Sequence, residues 1–207
     1  MPLRLFILLL TVLLVPDGAL AKDGGVPKKL GSFQGWDVYE TKQGAHPTCY
    51  MTLRPAKQDY KIPSPSKVNA ATKTKGTAKD MANDKANDKA KKIETVSAKR
   101  SNVYLMITFR PSESMNPVVS YRAGYIFKPA SEVLLSTGEK PFNLFTDKDQ
   151  AWARSSAMDI AITNAIRKAK RITVQGGSTD NGKSTDSFNA EGAEKAYKAT
   201  TKACGIT

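Results

Sequence analysis

Residues 102–109, NVYLMITF, decide the fold class of this chain. The run is rich in aromatic and β-branched residues and stops before Pro111, which is typical of a strand in a folded sheet. Weaker patterns of the same kind lie on both sides of it. They predict further strands at residues 36–41, 48–53, 118–127, 132–135, 141–144, 172–175 and 184–188. The chain is therefore predicted to be mainly β.

Glycines and turn residues refine these strands. Gly124 interrupts the run 118–127 and predicts a bulge or a close approach of two backbones. Residues 136–139, STGE, separate two of the short strands and predict a hairpin. Asn181 and Gly182 form a turn dipeptide between the last two strands, so these strands are also expected to pair.

The apolar period changes from two to 3.6 in the last third of the chain. Within residues 155–171, the apolar positions fall on one helical face: Met158, Ile162, Ala165, Ile166 and Ala169. Ser155 or Ser156 can cap this helix at its start. A second, shorter helix is predicted over residues 190–203, with Cys204 on its inner side and Gly205 as a C-terminal cap.

The first 21 residues, MPLRLFILLLTVLLVPDGALA, predict a secretory signal peptide. Arg4 supplies the positive start, an apolar run follows, and Ala19-Leu20-Ala21 is a cleavage pattern. The apolar run would make a helix of roughly 16 Å, which is too short to cross a hydrocarbon core of about 30 Å. We therefore predict cleavage after Ala21, a periplasmic or secreted protein, and no transmembrane span after cleavage.

Residues 61–100 differ in composition from the rest of the chain. They hold ten Lys and one Arg against three Asp and one Glu, so they carry +7 of the formal net charge of +13. Large apolar residues are almost absent, so this segment is predicted to be a long, disordered basic loop that interrupts a single domain spanning residues 22–207. Its cations are candidate contacts to an anionic surface: Lys73, Lys75, Lys79, Lys85, Lys89, Lys91, Lys92, Lys99 and Arg100.

The chain contains two cysteines, Cys49 and Cys204. In an exported protein an even number of cysteines predicts a disulfide, and two cysteines permit one intramolecular pairing. A redox or metal-binding pair would be expected to show CxxC spacing or several nearby histidines. The two cysteines do not have this spacing, and His46 is the only histidine in the sequence.

Both ends of the mature chain resemble the invasion-associated locus B family of exported alphaproteobacterial proteins. The matching residues are GWDVYE around Trp36, the first cysteine at Cys49, and the tail STDSFNAEGAEKAYKATTKAC ending at Cys204. The resemblance does not cover residues 61–100. It implies an immunoglobulin-like β-sandwich that ends in an Ala-rich helix and a Cys. Together with the periodicity, this predicts such a sandwich with two helices in the C-terminal half. The resemblance implies no catalytic residues, since the family is named for an invasion phenotype.

Catalytic and cofactor motifs are missing from the sequence. Lone His46 does not suggest a triad, no GxSxG elbow or P-loop is present, and no metal or cofactor site is predicted. Paired carboxylates remain the alternative, as in a periplasmic glycan hydrolase, and the available acids are Glu113, Glu132, Glu139, Asp147 and Asp149. Aromatic residues on the strands are predicted to pack mainly in the core, with a sugar-stacking platform as the alternative.

These observations predict an exported, non-enzymatic protein that binds a cell-surface component or another protein. The expected partner is an anionic envelope component, such as lipid head groups or lipopolysaccharide, or a protein. Nucleic acid is not expected, because export separates the protein from DNA. A glycan hydrolase and a purely structural envelope protein remain alternatives.

Overall fold

The computed structural model describes residues 25–43, 46–64, 94–138 and 141–206. These ranges contain two helices, α1 (Ser156–Lys168) and α2 (Ala193–Ala203). They also contain twelve strands: β1 Lys28–Phe33, β2 Trp36–Gln43, β3 His46–Leu53, β4 Lys57–Pro63, β5 Thr95–Ser97, β6 Tyr104–Arg110, β7 Ser114–Arg122, β8 Glu132–Ser136, β9 Pro141–Asp147, β10 Gln150–Trp152, β11 Arg171–Gly177 and β12 Lys183–Asn189. The prediction of a mainly β chain with two late helices is confirmed.

The described strands pair in one antiparallel sheet with the order β1-β2-β3-β6-β7-β10-β9-β8-β11-β12-β4-β5. Strands β8 and β9 form the predicted hairpin, and β11 pairs with β12 as expected. β7 ends at Arg122, two residues before Gly124. A Cβ on Gly124 would lie 2.3 Å from the carbonyl oxygen of Ser101, so this glycine marks the predicted close approach of two backbones.

One face of the sheet lines the core, because side chains alternate between the two faces of a strand. Cys49, Met51 and Leu53 of β3 are buried, and the residues opposite them on β6 are buried too. Tyr121 of β7 meets Phe188 of β12 edge to face, with ring centroids 6.4 Å apart. Since β7 and β12 are far apart in the strand order, the sheet bends around a single core.

The two helices complete that core. Ser155 caps α1 as predicted, because its Oγ accepts a hydrogen bond from the backbone N–H of Met158. Ile162 and Ile166 of α1 are fully buried, and α1 packs against β7. α2 packs against β1, β2 and β3, and it begins close to the point where the indole of Trp36 donates to the carbonyl of Ala190 at 3.3 Å.

The predicted disulfide joins β3 to the end of α2. Cys49 and Cys204 are bonded, with Cα atoms 5.8 Å apart and a sequence separation of 155. Both cysteines are buried. Gly205 follows with a φ of 66°, the left-handed conformation expected of a C-terminal cap.

The basic segment is ordered at both of its ends, so the predicted disordered loop, residues 61–100, was too long. Lys61 and Ile62 belong to β4, and Ile62 lies opposite Val96 of β5. The backbone N–H of Ser64 donates to the carbonyl of Glu94 at 2.9 Å, which closes the pair. Residues 65–93 and the predicted signal peptide, residues 1–21, lie outside the described residues. No helix within the described ranges is long and apolar enough to cross a membrane.

Candidate functional site

The structure describes two of the predicted anion contacts, Lys99 and Arg100, and their surroundings differ. Lys73, Lys75, Lys79, Lys85, Lys89, Lys91 and Lys92 lie outside the described residues, and Lys99 is exposed on the surface. The side chain of Arg100 is 1% exposed and forms an ion pair with Asp186 of β12, whose side chain is fully buried. Its inclusion among the surface contacts was wrong, since the guanidinium faces the core and has a carboxylate partner.

Arg100 makes several further contacts in the core. Its Nη1 donates to Asp186 Oδ2 at 3.1 Å and to the carbonyl of Ala123 at 2.7 Å, while Nη2 donates to Asp186 Oδ1. Burial opposes the charge of Arg100, but the hydrogen bonds and charge of Asp186 outweigh it, so the pKa of the guanidinium is raised. A buried charge of this kind is stable only with such a partner.

Three tyrosines surround the ion pair. Tyr121 donates its hydroxyl to Asp186, while the rings of Tyr60 and Tyr125 lie 5.1 and 5.4 Å from the guanidinium carbon of Arg100. Burial, followed by the charge of Asp186, raises the pKa of Tyr121 far above its ordinary value, and burial raises the pKa of Tyr125 to about 12. The hydroxyl of Tyr121 therefore stays protonated and donates to Asp186, while the hydroxyl of Tyr125 shares a hydrogen bond of 2.8 Å with that of Ser184.

A smaller polar group lies at the edge of this cluster. The hydroxyl of Tyr60 bonds Ser178 and Asp180 at 3.0 Å each, and the hydroxyl of Ser178 donates to Asp180. The hydrogen bond from Ser178 is the main cause that lowers the pKa of Asp180. Gly182 contributes its backbone N–H to Ser178 at 3.0 Å, so these residues hold the β11–β12 turn in place.

The acids considered for hydrolytic chemistry are dispersed. Glu132 pairs with Arg154 at 2.6 Å, and Asp149 pairs with Arg122 at 2.7 Å. Glu113 and Asp147 are exposed, whereas Glu139 lies outside the described residues. Among the residues that the structure describes, no group of three or more His, Cys, Asp or Glu could hold a metal ion.

A surface depression of about 310 Å³ lies beside the Arg122–Asp149 ion pair. Asn102, Gly124 and the exposed Ile126 also line it. Because its two charged side chains neutralise each other, the depression presents little net charge to a ligand.

The outer face of the sheet carries a row of aromatic and apolar side chains. We define the outer strip as Tyr39, Tyr50, Met106, Phe145 and Trp152. Tyr39 and Tyr50 lie opposite each other on β2 and β3 and stack with ring centroids 5.2 Å apart. Strand register continues the strip from Met106 through Ser120 and Trp152 to Phe145. Six neighbouring strands, from β2 to β9 in the order of the sheet, thus bring together residues that are far apart in the sequence.

The packing of the strip leaves one end open to solvent. Ser120 is only 2% exposed although it is on the outer face, because Met106 and Trp152 flank it. Phe145 and the adjacent Leu134 remain 37% and 38% exposed. The guanidinium of Arg154 lies 6.0 Å from the Phe145 ring, at the limit of a cation–π contact. Aromatic and arginine side chains in such a cluster are typical of protein interfaces.

The sequence identified part of this surface. Trp36 and Tyr121 lie in the core, as the packing interpretation expected, whereas Tyr39, Tyr50 and Trp152 lie on the outer face. Phe145 was missed, since the predicted strand stopped one residue before it, at the break in alternation between Leu144 and Phe145. Only the pairing of β9 with β10 places it beside Trp152.

No family model, curated protein or solved structure matches this chain. The interpretation of the outer strip therefore rests on its geometry and on the sequence patterns.

Proposed function

We propose that this chain is an exported, non-enzymatic protein that binds a cell-surface component or a partner protein through the outer strip. The observation that carries the proposal is the row of aromatic and apolar side chains from Tyr39 to Phe145, on the face of the sheet that turns away from the core. Tyr, Trp and Arg dominate the energetic centres of binding surfaces, and Tyr and Trp bury large areas with few rotatable bonds.

Two further observations support export and the family relationship. The Cys49–Cys204 disulfide is suited to an oxidising compartment such as the periplasm, which agrees with the signal-peptide pattern of residues 1–21. The bent antiparallel sheet and the bond from the terminal helix to an early strand support kinship with the invasion-associated locus B proteins. An immunoglobulin-like sandwich is part of the same proposal.

Site-specific photo-cross-linking in the living envelope tests the binding surface. A benzophenone amino acid at Trp152 or Phe145 is expected to capture a discrete adduct, and the same group at the exposed Lys183 of β12 serves as the control. Mass spectrometry then identifies the adduct as a protein or another envelope component. Equal capture at positions 152 and 183, or none at positions 145 and 152, would contradict the proposal.

Alanine substitution measures how strongly the strip contributes. Tyr50→Ala combined with Trp152→Ala is expected to weaken binding to the captured partner by about thirtyfold, because centres of binding energy cost about 2 kcal/mol or more when truncated. Thr185→Ala with Ser187→Ala on β12 is the matched control, since both residues are on the same face but outside the strip. Circular dichroism confirms that each variant folds.

We also propose that the lysines of residues 65–93, together with Lys99, contact anionic lipid head groups or lipopolysaccharide. Deleting residues 65–93 removes eight lysines while it keeps β4, β5 and Arg100. The expected result is weaker cosedimentation with anionic vesicles. A deletion of residues 61–100 would not test this contact, because it also removes the buried ion pair between Arg100 and Asp186. Unchanged cosedimentation would remove the segment from the mechanism.

A further inference from the structure

We infer that the solvent-facing side of the two helices is a docking surface for an anionic phospholipid membrane. The inference deepens the proposed function by assigning a lipid contact to a surface separate from the outer strip. We define the basic ridge by its six exposed cations, which are Lys168, Lys170, Arg171, Lys195, Lys198 and Lys202.

Three lysines of the ridge follow one face of α2. Lys195, Lys198 and Lys202 are spaced at i, i+3 and i+7, which places them in one row along the helix. The opposite side of α2 is buried against the sheet through Ala196 and Thr200. The row therefore points directly away from the core.

The other three cations adjoin the start of α2. The backbone N–H of Ala190 donates to the carbonyl of Lys170 at 2.9 Å, and Arg167 of α1 pairs with Glu194 of α2 at 2.7 Å. These two contacts hold the end of α1 beside the start of α2. Lys168 and Lys170 thus continue the row of lysines, and Arg171 adjoins them on the outer face of β11.

Helix stability does not account for the whole ridge. Lys168 and Lys202 lie in the last turns of their helices, where the helix dipole favours cations. Lys195, however, lies in the first turn of α2, where the dipole disfavours a positive charge, and Lys170 and Arg171 lie beyond the end of α1. Within the described residues, Lys198 is the one member of the ridge with a carboxylate partner, Glu194 at 3.4 Å.

Two exposed apolar side chains favour a membrane over a soluble polyanion. Ile160 of α1 is 38% exposed and Met115 of β7 is 60% exposed. The side-chain amide of Asn116 donates to Ser156 at 3.0 Å, which brings the start of β7 to the start of α1. The two apolar side chains lie towards the start of α1 and Lys168 ends it, so a membrane that lies along α1 would meet both groups. Cations that bind phosphates and apolar side chains that enter the acyl boundary are the combination used by proteins that lie on membrane surfaces.

The fold would leave the outer strip free when the ridge is docked. α2 packs on the face of β2 and β3 that contains Val38 and Cys49, whereas Tyr39 and Tyr50 are on the opposite face. A membrane against α2 and a partner against the strip would therefore occupy opposite sides of these strands.

Cosedimentation of the full mature chain with phosphatidylcholine vesicles, with and without phosphatidylglycerol, tests the inference. The triple variant Lys195→Gln, Lys198→Gln and Lys202→Gln should bind anionic vesicles about a hundredfold less well, since each lysine near a membrane contributes about 1 kcal/mol, or fivefold. The control Lys57→Gln, Lys148→Gln and Lys183→Gln removes the same charge from exposed sites elsewhere and should lose much less. Equal losses, or none in the ridge variant, would overturn the inference.

A second variant separates a membrane from a soluble polyanion. Met115→Gln with Ile160→Asn should weaken vesicle binding but leave binding to heparin unchanged, because only a membrane receives apolar side chains. Unchanged vesicle binding would overturn the inference. Photo-cross-linking from position 152 tests the outer strip independently of the lipid contact. If the ridge variant still forms the adduct, the outer strip remains a binding surface even when the lipid contact fails.

Discussion

Arg100 and Asp186 form a buried ion pair that joins the end of the basic segment to the interior of the sheet. Their side chains are 1% and 0% exposed, and 86 residues separate them in the chain. Since Arg100 follows β5 after only two residues, the pair holds the β4–β5 edge of the sheet against β12.

Removing Asp186 should strongly destabilise the fold. Asp186→Ala leaves Arg100 buried without a counter-charge, a change that typically costs about 3–5 kcal/mol of the free energy of unfolding. Asp59→Ala is the control, because Asp59 is half-exposed and its pairing with Lys61 at 3.7 Å should contribute less than about 1 kcal/mol. Urea denaturation measures both values.

A double variant that removes both charges shows whether the loss of stability comes from an unpaired charge or from packing. Arg100→Met with Asp186→Leu removes both charges, so it should be more stable than Asp186→Ala alone. If the double variant is less stable than Asp186→Ala, the loss reflects packing and not an unpaired charge.

The disulfide should contribute a large share of the stability. Cys49→Ala with Cys204→Ala is expected to lower the free energy of unfolding by about 2–5 kcal/mol, because the bond closes a long loop in the unfolded chain. The unmodified protein under reducing conditions should reach the same denaturation midpoint as the double variant, which has no thiol to reduce. A double variant as stable as the oxidised protein would contradict the prediction.

Asp159 should make stability depend on pH in a direction opposite to that of a salt-bridged acid. Burial raises its pKa above the ordinary 3.8, although the backbone N–H of Val119 donates to it at 2.7 Å and partly offsets the rise. A carboxyl group whose pKa is higher in the folded state contributes stability that is fully present below its unfolded-state pKa. This contribution is lost as the pH rises through its folded-state pKa.

The variant Asp159→Asn isolates this effect. Its amide oxygen can still accept from Val119, and it does not ionise. The unmodified protein should therefore lose stability relative to Asp159→Asn as pH rises from below 3.8 towards neutrality, as measured by urea denaturation across that interval. A stability difference that does not change with pH would contradict the assigned pKa shift.

Two glycines that flank α2 should differ in their tolerance of alanine. Gly192 has a φ of 85°, and a Cβ there would lie 2.4 Å from the carbonyl oxygen of Phe33. Gly205 has a φ of 66°, but no atom lies within 4 Å of its Cβ position. Both substitutions place an alanine in the left-handed conformation, which costs about 1–2 kcal/mol of stability. The additional loss of stability expected for Gly192→Ala therefore measures its contact with the backbone of Phe33. Thermal denaturation that gives equal losses would contradict it.

Local patterns predicted the elements that have a strong period of their own. The i, i+4, i+7 spacing in α1 and the run at β6 identify their own conformations, because helix and strand place apolar residues at different intervals. β4, with the sequence KQDYKIP, and the short β5 were missed, since their pattern is mostly polar. β4 is ordered by hydrogen bonds to β12, more than a hundred residues away in the chain, and β5 is ordered by pairing with β4.

The sequence by itself determined the mainly β composition, the two helices and the pairing of Cys49 with Cys204, because period and cysteine count are properties of the chain alone. Only the tertiary structure decided that Arg100 is buried beside Asp186 while the neighbouring Lys99 is exposed. It also decided which aromatics form the outer strip. The physical reason is that a side chain's surroundings depend on which strands pair, and that pairing joins segments whose local patterns contain no information about each other.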